Sequence, residues 1–155
     1  MKAFLALSLL MPAQFGTLDA VSARAKQFVS YAAEQQVVLA GKRAVLELRF
    51  RVSDGFHVNS HTPKSKLLLR TQVQLDPAAG VKAGTIIYPP GKEYIFSFEP
   101  KEKLDVYTQE FVVSVPVEVA RGTYVLKGSL QYQACDQALC YPPKSLPFEV
   151  AFKAQ

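Results

Sequence analysis

The feature that most constrains the fold is a regular alternation of apolar and polar residues along four long stretches. In residues 43–52, RAVLELRFRV, the apolar Leu46, Leu48 and Phe50 share one parity, and charged residues take the other. A period of two is typical of an antiparallel strand with one face buried and one face in water. The same pattern predicts strands at EFVVSVPVEV (110–119), TYVLKGSLQYQ (123–133) and SLPFEVAF (145–152).

Shorter apolar segments, separated by turn residues, add further candidate strands. The segments QQVVLA, KLLLRTQVQL, GTIIYP and YIFSF are bounded by Gly, Pro and Asp residues that favour turns. Roughly seven to nine strands without helical periodicity predict an all-β fold, an immunoglobulin-like antiparallel β-sandwich. A chain of 155 residues is long enough to form one such domain with its own core.

The N-terminus differs from the rest of the chain. MKAFLALSLLM places one lysine before a short apolar run that is too short to cross a bilayer. An A-x-A site follows at residues 23–25, so we predict a signal peptide at 1–25, with the cleavage position left open, and a mature domain at 26–155. The alternative is a buried N-terminal strand or helix. A signal peptide predicts an exported, soluble protein in an oxidising compartment.

The net charge of +5 does not by itself indicate a nucleic-acid or membrane partner. Lysines and arginines are scattered, and no run of five or more occurs. Basic residues that alternate with apolar ones, as in LELRFRV, are typical of the solvated face of a strand. We therefore expect no nucleic-acid partner.

The two cysteines are the strongest candidates for reactive side chains in this sequence. Cys135 and Cys140 lie in LQYQACDQALCYPPKS, and the parity of the preceding strand turns Cys135 outward. We therefore expect both sulfurs at an accessible rim, bracketing a hairpin-like turn across which a disulfide is feasible. Such a bond would contribute only about 2 kcal/mol, and exposed disulfides are the more easily reduced ones. A structural disulfide, an exchange site and a metal site all remain open.

A metal site would need further ligands. His57 and His61, in GFHVNSHTP, are the only histidines, and on a continuous strand they would lie about 13 Å apart. We expect two solvent-facing or locally hydrogen-bonded histidines. A single C-x4-C pair is likewise a weak zinc signal. We predict no metal and no cofactor.

Three segments together resemble a known family. YQACDQALCYPPKSLPFEV resembles the cysteine segment of the N-terminal periplasmic domain of the thiol–disulfide interchange protein DsbD. VVLAGKRAVLELRFRVSDGFHVNSHTP is similar to the opening strands of that domain, and YPPGKEYIFSFEPKEKLDVYTQEFVVSVPVEV to its middle segment. The resemblance covers about residues 34–152 in the same order, and its most specific part is the cysteine segment.

The resemblance implies an immunoglobulin-like periplasmic domain that carries electrons. A membrane-embedded thiol carrier would reduce the cysteine pair, and the pair would then reduce thioredoxin-fold partners, either disulfide isomerases or cytochrome c maturation factors. Because the sequence ends at residue 155, we expect the membrane carrier to be a separate polypeptide. The alternative is an exported immunoglobulin-like binding module whose disulfide only stabilises a hairpin.

The resemblance also assigns roles to individual residues. Cys140 matches the cysteine that forms the mixed disulfide with partners, and Cys135 the one that resolves it. A cap loop that shields the pair would lie within residues 94–103, with Phe98 as its first candidate for the shielding ring and Phe96 as its second.

Three residues near the pair complete the predicted site. Tyr132 and Tyr141 flank the cysteines and could pack around the sulfurs, although the parity of Tyr132 favours the core. Asp136 would raise the pKa of a thiol close to it. We therefore predict a pair that stays inert until a partner displaces the cap.

Overall fold

The computed structural model describes residues 26–96 and 99–155, and its regular elements there are all strands. The predicted signal peptide, residues 1–25, lies outside the described residues and stays a prediction. Within the described ranges no helix is long and apolar enough to cross a membrane. The strands are β1 (Val29–Ala32), β2 (Gln36–Val38), β3 (Arg43–Val52), β4 (His57–Asn59), β5 (Gln72–Leu75), β6 (Val81–Ala83), β7 (Lys92–Phe96), β8 (Glu99–Tyr107), β9 (Glu110–Val119), β10 (Gly122–Tyr132), β11 (Ala134–Cys135) and β12 (Lys144–Ala154).

Two four-stranded sheets form the body of the sandwich. One has the order β1-β3-β9-β6 and the other the order β2-β12-β10-β5. β10 and β12 pair antiparallel over their whole length, from Gly122 opposite Ala154 to Tyr132 opposite Lys144. All four long stretches predicted from the period of two are strands, and their apolar parity faces the core. The all-β immunoglobulin-like sandwich is confirmed.

The core joins the two sheets through large side chains. Phe50 of β3 is fully buried, and its ring lies 5.4 Å from the ring of Phe111 and 5.7 Å from that of Phe148 on the opposite sheet. Tyr31 of β1 closes the same cluster, 5.3 Å from the ring of Phe148. Burial of one such side chain stabilises the fold by about 1.5–3 kcal/mol, so this cluster stabilises the packing of the two layers.

A third, smaller sheet with the order β11-β4-β8-β7 positions the cysteines. β4 lies in its interior, pairing with β11 on one side and with β8 on the other. The chain leaves the second sheet at the end of β10 and joins this sheet at β11, so Gln133 is the crossing point. The alternation of buried and exposed residues in β10 ends at this crossing. Its end is visible in the burial of two consecutive residues, Ala134 and Cys135.

Candidate functional site

Cys135 and Cys140 form a disulfide, with their Cα atoms 3.9 Å apart. Cys135 is 0% exposed, whereas Cys140 is exposed at the end of the intercysteine turn. The expectation that both sulfurs lie at an accessible rim is therefore wrong for Cys135. The parity of β10 does not continue past Gln133, since the chain changes sheets there. The disulfide thus joins a buried residue to an exposed one.

Asp136 organises the turn between the two cysteines. Its Oδ1 accepts hydrogen bonds from the backbone N–H groups of Ala138 (2.7 Å) and Leu139 (2.9 Å), and its Oδ2 accepts one from the Tyr141 hydroxyl (2.7 Å). The bonds from Ala138, Tyr141 and Leu139 lower the pKa of Asp136, so this carboxylate is negative at neutral pH. Cys140 lies between Leu139 and Tyr141, which both donate hydrogen bonds to Asp136.

The predicted role of Asp136 as a modulator of the pair stays a prediction, but its place beside the pair is clear. Its hydrogen bond raises the pKa of the Tyr141 hydroxyl, which stays a donor at neutral pH. The Asp136 amide donates to the Leu139 carbonyl (3.0 Å), and the Tyr141 amide donates to the Ala134 carbonyl (2.8 Å). Because the turn has its own hydrogen bonds, its shape does not depend on the disulfide alone.

Aromatic rings surround the residue that follows Cys140. The Tyr141 ring lies 4.6 Å from the ring of Phe28 and 5.8 Å from that of Phe56. Two ammonium groups lie over these rings, Lys26 at 5.3 Å from Phe56 and Lys144 at 5.6 Å from Phe28, within the range of a cation–π interaction. The half-buried rings of Phe56 and Tyr141, packed on the buried Phe28 and flanked by two lysines, therefore lie beside the exposed cysteine.

The two tyrosines that flank the cysteines in sequence have different surroundings. Tyr132 belongs to the core, where its hydroxyl accepts a hydrogen bond from the Phe28 amide (3.1 Å) and donates to Gln27 Oε1 (2.7 Å). Its parity in β10 predicted this burial. Tyr141 is half-buried in the aromatic cluster next to Cys140. A shielding role for either ring stays a prediction, and the geometry favours Tyr141.

His57 is a residue of the site that the sequence did not reveal. It lies directly opposite Cys135 in the pairing of β4 with β11, and it is 2% exposed. Its ring lies 4.2 Å from the ring of Tyr94 on β7. Burial lowers the pKa of His57, and the nearby charge of Asp136 opposes that shift. The sequence shows the histidine, but a strand of three residues is too short to predict which residue lies opposite it in the sheet.

Of the two expected arrangements, solvent-facing or locally hydrogen-bonded, burial excludes the solvent-facing one for His57, and His61 has a local hydrogen bond. His61 is half-buried, its Nδ1 lies 3.0 Å from the Thr71 carbonyl oxygen, and its ring stacks on Tyr88 at 3.6 Å. Over the described parts of the chain, no three His, Cys, Asp or Glu side chains come together in a way that could hold a metal ion.

Of the predicted cap segment, residues 94–103, the structure describes residues 94–96, at the end of β7, and residues 99–103, at the start of β8. The β7–β8 hairpin belongs to the same sheet as Cys135, and its Tyr94 contacts His57. Phe98 lies outside the described residues, and for Phe96 the structure describes only the backbone, in β7. The assignment of the shielding ring to Phe98 or Phe96 stays a prediction.

Comparison with known proteins gives a family match over most of the chain. The family model "Thiol:disulfide interchange protein DsbD, N-terminal" matches residues 25–151. A solved structure of the reduced Neisseria meningitidis DsbD N-terminal domain is 25% identical over 76% of this chain and 86% of that chain, with a TM-score of 0.46. The same bacterium's complex of the DsbD and PilB N-terminal domains gives 24% identity over 72% and 77%, with a TM-score of 0.40.

A third solved structure is more distant in sequence. The N-terminal periplasmic domain of ScsB from Proteus mirabilis is 13% identical over 79% of this chain and 46% of that chain, with a TM-score of 0.48. Comparison with curated proteins found no significant match.

Proposed function

Because this chain belongs to the family of DsbD N-terminal domains, whose members are periplasmic, we propose that it passes reducing equivalents to periplasmic partners through the Cys135–Cys140 pair. The observation that carries the proposal is the unequal exposure of the two cysteines in one disulfide. An exposed sulfur can be attacked by a partner, while a buried one next to it can only complete the exchange.

The chemistry is thiol–disulfide exchange in two steps. The Cys140 thiolate attacks a disulfide of the partner, a mixed disulfide forms, and one partner sulfur leaves as a thiolate. Cys135 then attacks Cys140 Sγ, the intramolecular disulfide closes, and the second partner sulfur leaves. Two thiols of this protein are oxidised by two electrons, and one disulfide of the partner is reduced to two thiols.

The partners that fit the family resemblance are thioredoxin-fold proteins, of the disulfide isomerase or cytochrome c maturation type. A membrane thiol carrier would supply the electrons by reducing the pair. The surface beside Cys140 supports contact with another protein, since Leu139 is 51% exposed and lies two residues before Tyr141, whose ring contacts Phe56. Aromatic side chains at such a surface are common anchors in protein interfaces.

We further propose that the β7–β8 hairpin acts as the cap of this site, with Phe98 or, second, Phe96 as its shielding ring. Support comes from the position of the hairpin in the sheet of Cys135 and from the contact of Tyr94 with His57. Asp136 places a negative charge beside the pair and so disfavours a thiolate in the free protein. The reduced pair would then react when a partner displaces the cap.

An adduct trap in a periplasmic extract tests the exchange function. In the Cys135→Ala variant the mixed disulfide cannot be resolved, so Cys140 should retain a covalent thioredoxin-fold partner, which mass spectrometry after non-reducing electrophoresis would identify. Cys140→Ala is the matched control and should retain none. Equal adducts with both variants, or none with either, would contradict the proposal.

The buried Cys135 also suits the alternative function, a binding module with a purely structural disulfide. That function predicts that Cys140→Ala still binds its partner non-covalently with unchanged affinity and that no adduct forms. The same trap therefore decides between the two.

A further inference from the structure

The structure places an imidazole beside the buried cysteine, in a position that the exchange chemistry needs. We propose that His57 accepts the proton that Cys135 loses when the disulfide closes and returns a proton to Cys135 when the disulfide opens. This inference rests on the proposed exchange function, and it concerns how that site works.

The register of the third sheet carries the geometry. His57 on β4 and Cys135 on β11 are directly opposed. Side chains of opposed residues in an antiparallel pair lie on the same face, with Cβ atoms about 4.5–5.5 Å apart. Both residues are buried, at 2% and 0% exposure. The imidazole is therefore a neighbour of the Cys135 sulfur at a depth that bulk water does not reach.

Burial creates the need for a proton acceptor. A thiol with no exposed surface is hard to ionise, because burial disfavours the thiolate. The negative charge of Asp136 acts in the same direction. Since only the thiolate attacks a disulfide, closure of the bond by Cys135 requires a base within the protein.

His57 meets the requirements for that base, and two of its neighbours, Asp136 and Tyr94, support the role. Its lowered pKa keeps the imidazole neutral at pH 7 and thus able to accept a proton. The charge of Asp136 stabilises the imidazolium once it forms, and the Tyr94 ring on β7 fixes one face of the imidazole. Asp136 is the poorer base, because three donors already occupy its oxygens and lower its pKa.

The proton and electron balance is simple in both directions. On closure, the proton of Cys135 moves to the imidazole, the new thiolate attacks Cys140 Sγ, and the departing partner thiolate takes up one proton. On opening, the donor thiol gives its proton to the imidazole, the resulting donor thiolate attacks Cys140 Sγ, Cys135 leaves as a thiolate, and the imidazolium passes the proton on to Cys135. Each direction moves two electrons between the sulfur pairs and needs no further reactant.

A chromogenic disulfide separates the two chemical steps. A large excess of dithiobis(nitrobenzoic acid) compensates for the slow attack of Cys140 in the capped, partner-free protein, so reduced protein releases one nitrothiobenzoate when Cys140 attacks and a second when Cys135 closes the disulfide. The second phase is intramolecular, so its rate constant is independent of reagent concentration. Stopped-flow absorbance measures both rate constants in one trace.

Substitution of His57 should affect the second phase alone. His57→Phe keeps a ring against Tyr94, His57→Gln keeps a polar side chain, and neither can accept a proton at neutral pH. We expect both variants to close the disulfide about 100-fold more slowly at pH 7, near the lower end of what a positioned acid or base contributes. The first phase should be unchanged. His61→Phe, at the other histidine, is the matched control and should leave both phases unchanged.

The pH profile of the wild-type protein gives a test that requires no variant. With a neutral imidazole as the acceptor, the second rate constant should change little between pH 6.5 and 8.5. A rate limited by the thiol alone would rise about tenfold per pH unit in that range, and we expect this steep profile in the His57 variants. A steep wild-type profile, or an unchanged second phase in both variants, would overturn the role of His57.

The number of phases in the wild-type trace distinguishes a wrong exchange function from a wrong role of His57. If the wild-type protein releases a single nitrothiobenzoate, the pair does not exchange, and the proposed function itself is wrong. If the wild type shows two phases and the His57 variants match them, exchange stands and the proton transfer does not.

Discussion

Reduction of the Cys135–Cys140 disulfide is expected to lower the free energy of unfolding by about 2 kcal/mol. The bond closes a loop of about six residues, since its cysteines are five positions apart. In the chain-entropy model, the stabilisation grows with the logarithm of loop length, and a loop this short gives about 2 kcal/mol against about 4.7 for one of 100 residues.

The structure explains why the loss should not exceed this value. β11 remains paired with β4, and the Tyr141 amide remains bonded to the Ala134 carbonyl after the bond opens. The carboxylate of Asp136 continues to hold the turn through its backbone donors. The loss therefore arises mainly from the greater freedom of the unfolded chain.

Urea unfolding with and without a phosphine reductant measures this loss. The midpoint should fall with little change in the m-value, and the melting temperature should drop by about 6–10 °C. Cys140→Ala should match the reduced protein, because its side chain is exposed. Cys135→Ala should lose about 1 kcal/mol more, because it also removes a buried sulfur. A loss above about 5 kcal/mol, or an unfolded reduced protein, would refute an exchangeable pair.

Three further outcomes follow from the packing and the charges. Phe50→Ala should lower the free energy of unfolding, measured in urea, by about 3–5 kcal/mol, because it empties the centre of the ring cluster. Val125→Ala, at an exposed position, should change it by less than about 0.5 kcal/mol. Gly128→Ala should cost about 1–3 kcal/mol in the same assay, since the added Cβ would press on the Gln74 carbonyl oxygen and the Phe148 ring; an unchanged midpoint would contradict this contact. Asp136 has a pKa below its usual 3.8, so its contribution to stability is present above about pH 4 and is lost as the pH falls through the folded pKa. Urea midpoints at pH 6 and pH 3 should therefore differ less in Asp136→Asn than in the wild type, and equal differences would contradict this linkage.

The long strands could be predicted from the sequence, because each contains enough residues to show its period. β3, β9, β10 and β12 have between 10 and 11 residues, and each buries its apolar parity. Short strands lack that signal. β1 has four residues and was not predicted, and GTIIYP forms only a bridge at Ile87 instead of a strand. The core could therefore be predicted better than the edges.

The site could be predicted only in part, since it is built from the shortest strands. β4 has three residues and β11 has two, so neither shows a period. The parity of β10 predicts an outward Cys135 only if the strand continues, but the chain changes sheets at Gln133. The neighbour relation of His57 and Cys135 is a pairing across nearly 80 positions of sequence, which no local pattern encodes.

The change of sheet at Gln133 also explains how one disulfide can react in a defined order. Had the parity of β10 continued, Cys135 and Cys140 would both face solvent, and an incoming thiolate could attack either sulfur. Attack at Cys135 would leave Cys140 as the departing thiolate, with no imidazole opposite it. Because β11 joins β4 instead, Cys135 is buried against His57, and Cys140 is the accessible target. In the proposed exchange, the sulfur that leaves or closes is always the one beside a proton donor or acceptor, so the asymmetry in burial would set both the order of attack and the path of the proton.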